Sequence, residues 1–272
     1  MSRSGNHALI NWMLAQAQGR SCFLNCTEPG HNPFTSARPQ DDGAVCRANY
    51  ADFDLQREQR GRFSSKDLLI YSHEDCFLGS LRKREAEAQH DLWLGRSRRR
   101  LDVLLLRDPF NLFASRLKAQ LQPGNHATAL RIWKQHAREF LGLGRHLGAD
   151  RVVVSYNRWV RDHEYRRDLA ELLELEFTDA GRLEVPQVAS GSSFDGLKFH
   201  GRAADMAVTE RWRWLDQFFC PSELFDAQTL ELGERIFGRI CSSAFRARIL
   251  TSTLSSGAGA GAAAAEGAGL AS

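Results

Sequence analysis

Three apolar runs, each nearly unbroken, constrain the fold more than any other feature: Leu68-Leu69-Ile70-Tyr71, Leu101 to Leu106, and Arg151 to Tyr156 around Val152-Val153-Val154. A strand with one wet face alternates apolar and polar residues. These runs do not, so both faces of each strand are expected to be covered. Stretches with helical spacing lie between and beyond them: residues 8–18, 111–120, 127–147 and 163–175. Strands alternating with helices predict an α/β fold of three layers, a central parallel sheet flanked by helices. Ligands of such sheets sit at the carboxyl ends of the strands. Ser21-Cys22-Phe23-Leu24-Asn25-Cys26 predicts one more short strand, and residues 207–219 and 222–245 predict further helices.

The chain has 272 residues, 43% of them hydrophobic, enough for one sizeable core spanning residues 1–250. From Thr251 onward Ser, Gly and Ala dominate, so residues 251–272 are expected to be a disordered tail. Residues 28–66, rich in Pro, Gly, Asp, Gln and Arg, read as irregular. Residues 81–100 end on Arg96, Arg98, Arg99 and Arg100, and a solvated face explains them more simply than a dedicated patch.

A net charge of +3 suits an anionic ligand but is too small to argue for nucleic acid. The six cysteines form no CxxC pair and no zinc spacing, so neither a metal nor a disulfide framework is expected, and free thiols fit a reducing compartment. No run of about 18 apolar residues suggests a membrane span, and no signal-peptide pattern opens the chain. The sequence as it stands is consistent with a cytoplasmic location and leaves the oligomeric state open.

Three segments carry chemistry. Arg3-Ser4-Gly5-Asn6-His7 forms a turn ahead of a helix; glycine lets backbone amides curl around an anion, and the helix dipole favours it. Such a turn serves equally well as a plain helix cap. Leu106-Arg107-Asp108-Pro109 ends a strand, and Ser115 follows Arg107 by two helical turns. Together Arg107 and Ser115 could hold one phosphate; the simpler alternative pairs Arg107 with Asp108 and leaves Ser115 in solvent. Tyr71-Ser72-His73-Glu74 ends another strand. His73 at that position can act as a general base at neutral pH, and Glu74 can replace or orient it.

Taken in order, these segments resemble the sulfotransferases that use 3′-phosphoadenosine 5′-phosphosulfate (PAPS), in wording nearer to their bacterial and algal branch. The opening turn is similar to that family's 5′-phosphosulfate loop. Leu105-Leu106-Arg107-Asp108-Pro109 with Ser115 is similar to its 3′-phosphate motif, and Tyr71-Ser72-His73 stands where cytosolic members carry Lys-Thr-His. Val154-Ser155-Tyr156-Asn157 is similar to the segment whose tyrosine borders the adenine. The resemblance covers residues 2 to about 175 and implies a P-loop-like fold and a sulfuryl transfer from PAPS, with no metal, to a small-molecule, glycan or peptide acceptor.

It implies Arg3, Ser4, Gly5, Asn6, His7, Arg107, Ser115 and Tyr156 as PAPS-binding residues, and His73 as the base with Glu74 as the runner-up. Residues 28–66 and 76–100 are expected to shape the acceptor pocket.

The chain departs from that pattern at several points. Ala8 replaces a stacking Trp, Tyr71 replaces a Lys, and the C-terminal Arg-Lys-Gly loop is absent, with Phe199-His200-Gly201-Arg202, leading to Arg211-Trp212, as a candidate substitute. A phosphate turn ordinarily follows a buried strand and none precedes this one. The expectation is therefore an incomplete N-terminus, whose missing part could also redirect the chain to the Golgi or another compartment. Two other readings stay open: a P-loop nucleotide kinase, which lacks its Lys-Ser/Thr and magnesium Asp here, and a PAPS-binding protein without catalysis.

Overall fold

The computed structural model describes residues 1–40, 43–121, 126–187 and 191–258. In chain order its elements are α1 (Asn6–Gln16), β1 (Ser21–Leu24), α2 (Pro33–Ser36), β2 (Cys46–Ala48), α3 (Leu55–Gln59), β3 (Leu68–Tyr71) and α4 (Arg84–Leu94). Then follow β4 (Asp102–Leu106), α5 (Pro109–Lys118), α6 (His126–Phe140), β5 (Arg151–Ser155), α7 (Tyr156–Arg161) and α8 (His163–Leu172). The chain closes with α9 (Trp212–Phe218), α10 (Pro221–Leu224), α11 (Ala227–Phe237) and α12 (Ser243–Ala258).

The fold is mixed α/β, and every apolar run read from the sequence is a strand. The single central sheet is not what the described strands form. They make two sheets, one of order β2-β1-β3 and one of β4 beside β5. β1 runs parallel to β3, with Cys22 opposite Leu69, and antiparallel to β2, with Leu24 opposite Cys46. β4 and β5 are parallel from Asp102/Arg151 to Leu106/Ser155. Among the described residues no strand hydrogen-bonds β3 to β4, so the two parallel ladders stay separate. The extra antiparallel strand β2 lies inside the stretch read as irregular: three residues are too few to show a period.

Packing follows the apolar faces. Leu106, Phe110, Phe113, Trp133, Phe225 and Phe245 form the largest cluster, between β4, α5, α6 and the C-terminal helices. A second cluster places Leu9, Trp12 and Met13 of α1 against Val152, Val154, Trp159 and Leu169. Removing a fully buried ring such as Phe113 by Phe113→Ala should cost about 3–5 kcal/mol. The pairing of α1 with β5 and α7 fixes the opening turn against the ends of β4 and β5.

Helix ends explain the other differences from expectation. The helix expected to reach residue 147 stops at Phe140. Gly142, at φ 73°, turns the chain so that the Leu143 and Gly142 amides close on Arg138 O and Glu139 O, a Schellman pair that a Cβ would disfavour. Residues 222–245 form parts of three helices, not one, because Asp226 starts a new helix by accepting from Thr229 N at 2.9 Å. α12 continues to Ala258, past the boundary expected at 251; residues 259–272 of the expected tail lie outside the described residues. The basic stretch after α4 is paired: Arg98 and Arg99 meet Glu174, and Arg100 meets Glu87. Among the described residues no helix is long and apolar enough to cross a membrane.

Candidate functional site

The end of β4 is built by two anchors. Asp108 caps α5, accepting from Asn111 N at 2.9 Å, and Pro109 suits the first helical position. Trp133, fully buried, donates from Nε1 to Arg107 O at 2.9 Å. With its carboxylate occupied by Asn111 and Asn157, Asp108 does not pair with the neighbouring Arg107, which overturns the simpler of the two sequence readings. Arg107 points inward instead. Its Nη1 donates to Arg3 O at 3.1 Å and to Ser115 Oγ at 3.2 Å, and its Nη2 to Val208 O at 2.5 Å. Ser115 is buried, not solvent-facing.

A second guanidinium meets the same hydroxyl. Arg211 Nη1 donates to Ser115 Oγ at 2.9 Å, while its Nη2 donates to Ser192 Oγ at 2.7 Å and lies 3.3 Å from Asp195. Burial, followed by the neighbouring Arg107 charge, pushes the Arg211 pKa down to about 10, against the pull of Asp195. Burial also lowers that of Arg107, which has no ion-pair carboxylate among the described residues and whose Nε has no hydrogen-bond partner there. Two like charges held this close in a buried setting are unfavourable without an anion.

The opening turn faces this pair. Arg3 at φ 65° and Gly5 at φ 90° give it a left-handed path. Gly5 is required: a Cβ there would stand 2.1 Å from Tyr156 Cε2. The Tyr156 ring thus rests across the turn, 5.2 Å from the Arg107 guanidinium carbon, and stacks on Trp159. The turn is tied to the end of β3 by carboxylates. Ser2 Oγ and Asn6 Nδ2 donate to Glu74 at 2.7 and 2.5 Å. Ser2 N donates to Asp75, which Arg116 grips at 2.8 and 3.0 Å. Burial pulls the Asp75 pKa upward, but the charge and hydrogen bond of Arg116, the N-terminal ammonium and the Ser2 hydrogen bond together outweigh it and leave the carboxyl below its ordinary value.

Arg3, Gly5, Glu74, Arg107, Tyr156 and Arg211 line one cavity of about 280 Å³. Of the residues expected at the site, Arg3, Gly5, Asn6, His7, Glu74, Arg107, Ser115 and Tyr156 line it. His7 is oriented by Asn25 Oδ1, 2.9 Å from its Nε2. Two expected residues do not line it. Ser4 is buried beneath the turn, with no partner for its Oγ among the described residues. His73 turns away: its Nδ1 lies 2.9 Å from Thr27 O, which makes that nitrogen the donor, and burial lowers its pKa. None of residues 28–66 or 76–100 lines the cavity, so the acceptor-pocket expectation for those stretches finds no support at this site.

Sequence reasoning missed Arg182, Glu184 and Trp159, all on the cavity wall. Arg182 lies 5.2 Å over the Trp159 ring, its Nε has no partner among the described residues, and burial lowers its pKa. A lone Gly-Arg dipeptide after a helix carries no local signal. Arg211 did carry one, as a substitute for an absent loop; Phe199, His200 and Arg202 of the same stretch are not on the wall. Four guanidiniums, Arg3, Arg107, Arg182 and Arg211, thus face two carboxylates, Glu74 and Glu184, which suits a polyanion with an apolar ring. Among the described residues no cluster of His, Cys, Asp and Glu could hold a metal ion.

No protein-family model matches the chain, and no curated protein matches it. Among solved structures, it is similar to the sulfotransferase domain from the Synechococcus PCC 7002 olefin synthase, with 21% identity and a TM-score of 0.42. The match covers 62% of this chain and 57% of that one, so the chain spans somewhat more than half the length of the structure it matches.

Proposed function

We propose that this chain transfers a sulfuryl group from PAPS to an acceptor hydroxyl or amine. The observation that carries the reading is the convergence of Arg107 and Arg211 on Ser115 Oγ, across the same cavity from the opening turn. Two anion-seeking places on one cavity suit a nucleotide bearing phosphate at both ends. Arg107, Arg211 and Ser115 hold the 3′-phosphate in this reading. Arg3, with the first amides of α1, takes the 5′-phosphosulfate, and Tyr156 with Trp159 borders the adenine.

In-line transfer makes the bond from acceptor oxygen or nitrogen to sulfur and breaks the bond from sulfur to the bridging phosphate oxygen. The chain must place the acceptor, remove its proton and stabilise charge on the leaving phosphate. Glu74 is assigned the proton, because it lines the cavity beside the turn whereas His73 does not. Hydrogen bonds from Ser2 and Asn6, one to each carboxylate oxygen, fix the side chain at the cavity wall. Arg3 and the α1 N-terminus stabilise the leaving group.

The test has two stages. Adenosine 3′,5′-bisphosphate should raise the melting temperature and ATP should not, since only a ligand of the native state stabilises it. Labelled PAPS, incubated with the protein and a panel of phenols, sugars and peptides, should then label an acceptor. Stabilisation by ATP alone would favour a nucleotide kinase; stabilisation by the bisphosphate with no transfer to any acceptor would favour a binding protein.

A further inference from the structure

Outside the cavity, one pair of reactive groups has no part in the site. Among the described residues, the sulfurs of Cys22 and Cys46 stand 2.9 Å apart, while all six cysteines are free thiols. The two residues occupy neighbouring antiparallel strands. Cys22 faces Ala48 and Cys46 faces Leu24, so the pair is two residues out of direct register and lies on one face of the sheet. Diagonal neighbours of this kind come into contact where strand twist closes the diagonal. The backbone ladder holds the two sulfurs already in contact, about 1 Å beyond the length of a disulfide bond.

We propose that Cys22 and Cys46 form a reversible disulfide, a redox modification site that fastens β2 onto β1. The two thiols divide the labour. Cys22 is fully buried beside Leu24 and Phe34, whereas Cys46 is half-buried and reachable. The hydrogen bond from Cys22, aided by the nearby Lys66 ammonium, lowers the Cys46 pKa. The same bond, with burial, raises that of Cys22. Lys66 is itself fixed by a buried ion pair with Glu58 at 2.7 Å. Cys46 is therefore the thiolate that attacks first, and Cys22 is the resolving thiol.

With oxidised glutathione as oxidant the step balances. The Cys46 thiolate displaces one glutathione thiolate and forms a mixed disulfide. Cys22 then attacks the Cys46 sulfur and expels the second glutathione. The two protein thiols give up two electrons and two protons, and two molecules of reduced glutathione carry them away. The bond would brace the strand that leads directly to Asn25, the partner of His7 on the cavity wall.

The folded full-length chain should be treated with oxidised glutathione, alkylated and digested without reduction. The expected product is one linked peptide pair joining Cys22 to Cys46, lighter by two hydrogens and released by dithiothreitol, with the other four thiols still alkylated. Its melting temperature should rise by about 5 °C relative to the reduced chain. In Cys22→Ser the reaction should halt at a glutathione adduct on Cys46. Alkylation of both Cys22 and Cys46 in the treated wild-type chain would overturn the proposal. So would a stable glutathione adduct on wild-type Cys46, or linkage of either residue to another cysteine.

Discussion

Arg107 and Ser115, eight residues apart, meet at 3.2 Å because β4 ends where α5 begins and two turns of helix bring the hydroxyl back to the guanidinium. Arg211 arrives at the same oxygen from the far side of the sequence. Asp195 balances Arg211, but no carboxylate among the described residues pairs with Arg107, and the proposed function gives that charge an anionic ligand. Arg107→Ala should weaken binding of adenosine 3′,5′-bisphosphate about 10- to 100-fold, the range for a charge-assisted contact. Adenosine 5′-phosphate, which lacks the 3′ group, should bind both proteins alike. Titration calorimetry with the two nucleotides separates the outcomes; equal losses for both would place Arg107 elsewhere on the ligand.

Gly5 and Tyr156 form a second interdependent pair. An alanine at position 5 would have to hold φ near 90° and also displace the Tyr156 ring. Gly5→Ala should therefore destabilise the fold by about 2 kcal/mol or more, the backbone strain alone being roughly 1–3 kcal/mol. Tyr156→Ala removes the steric part but not the strain. The double variant should lose less stability than the two single losses added together, by about 1 kcal/mol in urea unfolding. Strict additivity would show that the ring yields freely.

Much of this arrangement was legible in the chain before folding was considered. Continuous runs such as Leu101–Leu106 declare a strand covered on both faces, and a Ser-Gly-Asn turn before apolar residues at helical spacing declares a helix start. The turn at residues 3–7 and the Arg107–Ser115 pair could be named because their chemistry is local in sequence. What brings Arg182 and Arg211 to the same cavity is not local: both depend on how the chain after α8 returns over α1 and α7. The choice between His73 and Glu74 was equally invisible. They are adjacent in sequence just past the end of β3, and the irregular chain there sends one to Thr27 and one to the turn.

That divergence makes the base assignment testable. Glu74→Gln keeps the size of the side chain and can still meet Ser2, but it cannot take a proton. Turnover should fall about 10²- to 10⁴-fold, with bisphosphate affinity nearly unchanged. His73→Asn should keep turnover within a few-fold and lose about 1–2 kcal/mol of stability, since it disturbs a partly buried hydrogen bond. Single-turnover assays with saturating PAPS, set beside urea unfolding, distinguish the two. Loss of turnover confined to the His73 variant would return the role of base to the histidine.

His136 gives the fold a defined response to acid. It is buried, with Nε2 3.1 Å from Cys76 O, and burial, followed by the N-terminal amino charge, pushes its pKa down to about 3. Above pH 6.5 the ring is neutral in both the folded and unfolded chain, so its contribution is complete there. As pH falls below 6.5 the unfolded chain takes up a proton that the folded chain refuses until about pH 3, and stability is lost across that window. Between pH 7 and pH 5 the loss from this residue should be about 2 kcal/mol. His73, shifted in the same direction, steepens the slope. In His136→Gln, which keeps a polar atom toward Cys76 O and does not titrate, the difference between urea unfolding free energies at pH 7 and pH 5 should shrink by that amount. An unchanged difference would mean that water reaches the ring and that burial does not hold it neutral.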